Sequence, residues 1–221
     1  MSIKENIKKV NAYIPKDVKL VAVSKTRKLE ELEEVYSIGV RDFGENKVQE
    51  LAEKYDNFHK DVKWHFIGHL QRNKVKYIVG KVSLIHSLDS IKLLEEIEKK
   101  YVAAGQVADV LIQINIGRDP NKSGVLLEEL DELINICEKC NNVKVKGLMT
   151  ILPKGDELSN RNYFRQMKEV YDDLYEKQYK NIRMKYLSMG MTGDYKIAIS
   201  EGANMVRVGE GIFGKRIYNN I

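Results

Sequence analysis

The sequence predicts an α/β fold: a single (β/α)8 TIM-type barrel with an extra N-terminal helix. Three observations predict it. Short apolar runs recur along the chain every two to three dozen residues or so. Amphipathic helical patterns fill the intervals between them. Four glycines each stand where a helical stretch gives way to the next apolar run. Strand and helix in alternation imply parallel strands joined by crossover helices. Eight such units suit a closed barrel. An open doubly wound sheet is the competing architecture. It holds this many parallel strands less comfortably, and the phosphate fingerprint expected after its first strand is missing.

The elements are justified in chain order. Ile3–Tyr13 is the leading helix. Strands are expected at Leu20–Lys25, Asp42–Asn46, Trp64–Gly68, Leu84–Leu88, Val110–Ile116, Val145–Ile151, Tyr186–Met191 and Met205–Val208. Leu29, Leu32, Val35 and Tyr36 repeat at helical spacing after the first strand. Leu126, Leu130, Leu133, Ile134 and Cys137 do so later, as do Phe164, Met167, Val170, Tyr171 and Leu174. Gly39, Gly80, Gly105 and Gly202 mark helix ends. No linker or low-complexity tract interrupts the chain, so residues 1–221 read as one domain.

Composition excludes several classes. With 43% hydrophobic and 31% charged residues, the 221-residue chain is neither disordered nor fibrous. The formal charge is +5, from 37 basic and 32 acidic residues. The two signs are interleaved, so a nucleic-acid footprint is not indicated. No apolar run approaches the roughly 18 residues of a membrane span. The N-terminus lacks the apolar core of a signal peptide. Two cysteines argue against a disulfide framework and for a reducing cytoplasm.

Barrel active sites form at the C-terminal strand ends, with phosphate often held after strands 7 and 8. In a closed barrel strand 8 lies beside strand 1. Lys25 ends the first strand, on the same face as Val21 and Val23. A lysine leaving an apolar face is a candidate amine nucleophile. Ser188-Met-Gly-Met-Thr192-Gly-Asp194 ends strand 7 with two hydroxyls, close-approach glycines and a natural N-cap. Gly209, Gly211 and Gly214 satisfy G-x-G-x-x-G, but no helix, strand and acid follow, so a dinucleotide reading fails. A glycine turn beside the same phosphate remains. Arg207 alternates with Val206 and Val208 and needs a ligand or a carboxylate as partner. Together these residues suit a phosphorylated carbonyl compound. Pyridoxal phosphate (PLP) is the obvious one, and a Schiff-base sugar-phosphate aldolase is the other possibility. Cys137-x-x-Cys140 lies inside a helix and cannot close a zinc site alone. His65 and His69 straddle Gly68, which makes a metal site improbable. His86 sits at the end of strand 4 without a recognisable nucleophile–base arrangement.

VAVSKT (Val21–Thr26), FGENKVQEL (Phe43–Leu51), WHFIGHLQRNK (Trp64–Lys74), LSMGMTGD (Leu187–Asp194) and MVRVGEGIFGKR (Met205–Arg216) resemble the pyridoxal phosphate homeostasis proteins, which are similar to the alanine racemase N-terminal domain. The resemblance covers essentially the whole chain. It implies a PLP-binding barrel in which Lys25 carries the cofactor as a Schiff base. Ser188 and Thr192 match phosphate-contacting hydroxyls, and Gly209 and Glu210 match backbone donors to phosphate. Arg207 matches an arginine facing the pyridine nitrogen. Asn46 matches a polar residue near the ring, while Met149 and His69 match pocket walls. Position 210 is often threonine in such proteins. Glu210 is therefore expected to turn its carboxylate away.

An arginine at the ring nitrogen disfavours the protonated ring that strengthens an electron sink. Related racemases take a second base from a further domain, for which Gly214–Ile221 leaves no room. The expectation is a cytoplasmic, monomeric PLP carrier without robust catalysis, acting in vitamin B6 and amino-acid balance. Its partners would be PLP and apo PLP-enzymes, with no metal, no membrane and no nucleic acid. The alternative is an amino-acid racemase of weak activity.

Overall fold

The computed structural model describes residues 2–215. Arg216, the last residue of the final motif, lies outside them. A capping box between Ser2 and Glu5 starts helix α1 (Ile3–Tyr13), as expected, and α1 buries Ile7 and Val10. Eight parallel strands follow: β1 (Lys19–Val23), β2 (Asp42–Glu45), β3 (Lys63–Phe66), β4 (Leu84–Leu88), β5 (Ala108–Gln113), β6 (Val143–Met149), β7 (Ile182–Ser188) and β8 (Met205–Val208). They close in chain order, with β8 hydrogen-bonded to β1. The expected (β/α)8 barrel is what the chain forms.

The crossovers are α2 (Leu29–Tyr36), α3 (Val48–Asn57), α4 (Ile91–Ala103), α5 (Leu127–Cys137), α6 (Glu157–Tyr175) and α7 (Tyr195–Ser200), with a short α8 (Glu210–Phe213) after the last strand. The β3–β4 crossover is a 3-10 helix, Arg72–Tyr77. Its buried Val75 and the following Ile78 stand three residues apart, which fits a three-residue turn better than an α-helical face. Gly39, Gly80, Gly105 and Gly202 all have positive φ, which lets each reverse the chain.

Strand alternation divides the apolar residues into two cores. Phe43, Trp64, Phe66 and Ile85 face outward and pack under the helices. Val21, Leu84, Leu111, Met149 and Met205 fill the lumen. Several strands stop short of the expected ends: β1 at Val23, β2 at Glu45, β3 at Phe66 and β7 at Ser188. The residues beyond them form the loops of the barrel mouth. β7 also begins earlier than expected, because its exposed Arg183 and Lys185 interrupt the apolar run without interrupting the strand.

Candidate functional site

A cavity of about 380 Å³ opens at the C-terminal ends of the strands. That volume lies within the roughly 300–1,000 Å³ usual for small-ligand pockets. Val23 and Lys25 line it from β1 and its loop, Asn46 from the loop after β2, and Ile67 from the loop after β3. Ile151 comes from the far side, Met191, Thr192 and Gly193 from the β7 loop, and Arg207, Gly209 and Glu210 from β8 and its turn. Six of the eight predicted contact residues therefore meet here: Lys25, Asn46, Thr192, Arg207, Gly209 and Glu210.

Lys25 is half-buried, in a loop whose next residue, Thr26, has φ +66°. That is an uncommon conformation for a β-branched residue. Side chains from β2 and α3 hold it. The Ser24 hydroxyl donates to Glu45 Oε1 at 2.6 Å. Lys54 Nζ donates to the Ser24 carbonyl at 2.7 Å, to Glu45 Oε1 at 2.7 Å and to Glu50 Oε1 at 2.8 Å. The Thr26 N–H donates to Glu50 Oε1. Burial pushes the Glu45 carboxyl up to about 7, against the pull of Lys54.

Next to β1 around the barrel, the β8 turn is tied to the β7 turn. Gly211 N–H donates to Thr192 Oγ1 at 3.1 Å, which leaves the Thr192 hydroxyl proton to be donated elsewhere. Met191 N–H donates to Asp194 Oδ1 at 2.6 Å. Gly190 has φ +94°, and a Cβ there would stand 2.6 Å from the Ala198 methyl, so the turn admits only glycine. Glu210 is exposed.

Arg207 is 3% exposed. Its Nη1 donates to the carbonyl and hydroxyl of Ser188 at 2.8 and 2.7 Å, and its Nη2 donates to the Thr150 carbonyl at 2.8 Å. All three acceptors are neutral. Among the described residues no carboxylate lies within ion-pair reach of it. Burial lowers the guanidinium to about 10, partly offset by Asp194, so it stays charged at neutral pH.

Two predicted residues are placed differently. Ser188 is fully buried and does not line the cavity, because its hydroxyl is taken up by Arg207 and by His86 Nδ1 at 3.1 Å. Met149 lies in the lumen core beneath the cavity, and Ile151, two residues further along the same face, reaches the mouth instead. His69 is exposed in neighbouring clefts, its Nδ1 shared by Asp89 and Ser123. Cys137 and Cys140 are buried free thiols, pushed by burial up to about 12 and about 11. Such thiols are poor nucleophiles. Among the described residues no cluster of three or more His, Cys, Asp or Glu could hold a metal ion. Among the described residues no helix is long and apolar enough to cross a membrane.

The donor set fits a phosphorylated aromatic aldehyde. An amine stands on one wall, a hydroxyl and glycine turns on another, and Val23, Ile67 and Ile151 supply apolar surface for a ring. Two polar groups call for a ligand. One is the guanidinium without an anionic partner. The other is Asn46 Oδ1, which is buried with no hydrogen-bond partner.

Residues 1–216 match the family model described as alanine racemase, N-terminal domain. The chain is 46% identical over 202 residues to the pyridoxal phosphate homeostasis protein of Aquifex aeolicus, covering 90% of this chain and 88% of that one. It is 37% identical over 209 residues to the protein of the same name from Synechocystis, covering 93% and 95%. The PLP-bound structure of PipY from Synechococcus elongatus is 32% identical, with a TM-score of 0.89 over 96% of this chain and all of that one. Alanine racemase of Clostridium difficile, 17% identical, shares the fold at a TM-score of 0.76, and the match covers 58% of its chain. On this evidence of sequence and fold, the chain belongs to the pyridoxal phosphate homeostasis protein family.

Proposed function

We propose that this chain, as one barrel domain, binds PLP through a Schiff base on Lys25 and serves intracellular PLP and amino-acid balance without robust catalysis. The observation that carries the reading is the convergence of Lys25, Thr192 and an unneutralised Arg207 on one cavity. Bound there, PLP supplies a reactive aldehyde and an electron-withdrawing ring. Lys25 supplies the amine. The Thr192 hydroxyl and the turn at Gly209–Glu210 donate to the phosphate, with the Glu210 carboxylate in solvent. Arg207 faces the ring nitrogen, and Asn46 accepts a hydrogen bond from the ligand. Ser188 acts from beneath, through Arg207, rather than on the phosphate.

A fixed cation at the ring nitrogen keeps that nitrogen unprotonated and weakens the electron sink. Apart from Lys25, the charged groups lining the cavity are Arg207, which has donors only, and Glu210, whose side chain is exposed. These features favour holding and releasing the cofactor, with apo PLP-enzymes as recipients. The two buried thiols suit a reducing cytoplasm. A monomer suits the exposed apolar residues Tyr13, Val102 and Leu158, which sit on three different helices.

The test is direct. Added PLP should give a visible chromophore, and borohydride should fix it on the peptide containing Lys25. A label elsewhere, or no chromophore, overturns the site assignment. Alanine racemisation near the ordinary enzymatic rate of about 10 per second would replace the carrier reading with the racemase reading.

A further inference from the structure

A line of polar side chains runs through the lumen from the cavity to the opposite end of the barrel. Arg207 Nη1 donates to the Ser188 hydroxyl at 2.7 Å. Ser188 Oγ lies 3.1 Å from His86 Nδ1, His86 Nε2 lies 2.9 Å from His65 Nδ1, and His65 Nε2 lies 2.9 Å from Asp42 Oδ1. Lys19 Nζ closes the line, 3.1 Å from the same Asp42 oxygen. His65, His86, Ser188 and Arg207 are each at most 3% exposed, whereas the Asp42 and Lys19 side chains are 15% and 29% exposed.

The two ends set the direction of every bond between them. Arginine has only donors and an ionised carboxylate only acceptors. The Ser188 oxygen accepts from Arg207 and its proton goes to His86 Nδ1, the one sense in which a neutral His65 still donates to Asp42 at the far end. His86 then carries its proton on Nε2 and donates to His65 Nδ1. His65 in turn carries its proton on Nε2 and donates to Asp42. The one-way arrangement satisfies all four ring nitrogens with both imidazoles neutral. Protonating His86 would point a new N–H at the Ser188 hydroxyl, whose own proton would lose its acceptor. The charges facing the pair agree. Arg207 acts on His86, Lys19 and Lys63 oppose a charge on His65, and Asp42 favours one. Burial is the largest influence on both rings and favours the neutral form.

We propose that His86, His65 and Asp42 are positioning residues for the cofactor cavity: their one-way hydrogen-bond column fixes the Ser188 hydroxyl, and through it the guanidinium that Arg207 presents to the ligand. The inference rests on the reading that Arg207 faces bound PLP. A pair of histidines serving only as lumen filling would not transmit a change to the ligand.

Two experiments test it. In the protein without added PLP, nitrogen-15 NMR of the imidazoles should report both rings as neutral Nε2–H tautomers from pH 6 to 8. An Nδ1–H tautomer on either ring, or an imidazolium at pH 7, overturns the column. In the PLP-loaded protein, Ser188→Ala and His86→Leu should each shift the visible band and speed PLP loss about tenfold. The double variant should match the single ones, because one chain is broken once. His86→Gln, whose amide can accept from Ser188 and donate to His65, should restore the wild-type band. Unchanged spectra in Ser188→Ala, or failure of the Gln variant to restore, overturns the positioning role even if His86→Leu does not fold. Failure of the functional reading looks different: the wild-type protein itself would carry no chromophore, while the tautomers would still decide whether the column exists.

Discussion

Two buried polar networks flank the cavity, and they are built on opposite principles. The one behind Lys25 lies outside the barrel wall, beneath α3, and is ionic: Lys54 sits between Glu45 and Glu50 and grips the Ser24 carbonyl. The one beneath Arg207 lies inside the lumen, and its links are neutral: a hydroxyl, two imidazoles and two carbonyls. The difference follows from what each must hold. Lys25 is placed by its backbone, and Lys54, shared between Glu45 and Glu50, clamps a strained loop from within the wall. Arg207 acts through its charge. Neutral acceptors fix its geometry and leave that charge for a ligand, whereas a carboxylate at the same place would neutralise it.

Breaking the ionic side should have the largest effect. Lys54→Met removes the cation paired with Glu45, whose side chain is fully buried. Loss of one partner of a buried pair costs about 3–5 kcal/mol, so urea unfolding at pH 7.5 should show a loss of that order. The loss should shrink as the pH falls and the orphaned carboxyl takes up a proton. An unfolding midpoint within error of wild type would show that the clamp is ornamental.

The second effect is the pH dependence of the same network. Burial raises the Glu45 carboxyl from 4.5 to about 7, so the folded state holds a proton there that the unfolded chain releases. This group's contribution is therefore most favourable at low pH and declines as the pH rises through the window from about 4.5 to 7. Glu45→Gln should abolish the decline. Relative to wild type, the variant should gain on the order of 2 kcal/mol between pH 5 and pH 8, read from denaturation curves at the two values. A constant difference between the two proteins would mean that the Lys54 contact keeps Glu45 ionised throughout.

The lumen network has the opposite sign. His65 and His86 are held below the usual value of 6.5, chiefly by burial. Above that value the folded and unfolded chains are both neutral there, and nothing changes. Below it the unfolded histidines bind protons that the folded ones refuse, so stability falls on acidification. At pH 5.5 a histidine that stays neutral in the fold withdraws at most about 1.4 kcal/mol. His86→Gln should make the acid limb shallower by that amount. The two sides can thus be separated by titration alone: one weakens as pH rises to 7, the other as it falls below 6.5.

How much of this was legible in the sequence depended on whether a feature was local. The barrel was, because apolar runs, helical repeats and glycine stops are each written within a dozen residues or so. Lys25, Asn46, Thr192, Arg207, Gly209 and Glu210 were also readable, since each lies in a motif at a strand's end. Ser188 and Met149 lie one layer below the mouth, in the lumen. Alternation names the face a residue takes, but not its depth, which depends on where the strand stops. The lumen column was missed because its members touch only after closure: His86 meets Ser188 across 102 residues of chain. One signal was present. His65, His86 and Arg207 all occupy lumen-facing positions, and three such groups in one barrel have to find each other. Nothing local in the sequence marks Lys54. Only the pairing of β2 with α3 reveals that its amine is buried.

The smallest effect on stability concerns the strained residue beside Lys25. Thr26 at φ +66° costs about 1–2 kcal/mol relative to a relaxed backbone. Thr26→Gly removes that strain but adds unfolded-chain entropy worth about 0.5–1 kcal/mol, so the net gain should stay below about 1 kcal/mol. The Thr26 N–H bond to Glu50 needs no side chain and persists in the variant. If the ionic clamp alone holds the loop, PLP attachment to Lys25 should then proceed at the wild-type rate, followed by the rise of the visible band. A markedly slower rate would show that the stiffness of the β-branched residue also keeps the amine in place. The contrast would then be three-sided, with backbone stiffness joining ions and neutral dipoles as a means of holding the cavity's two working groups.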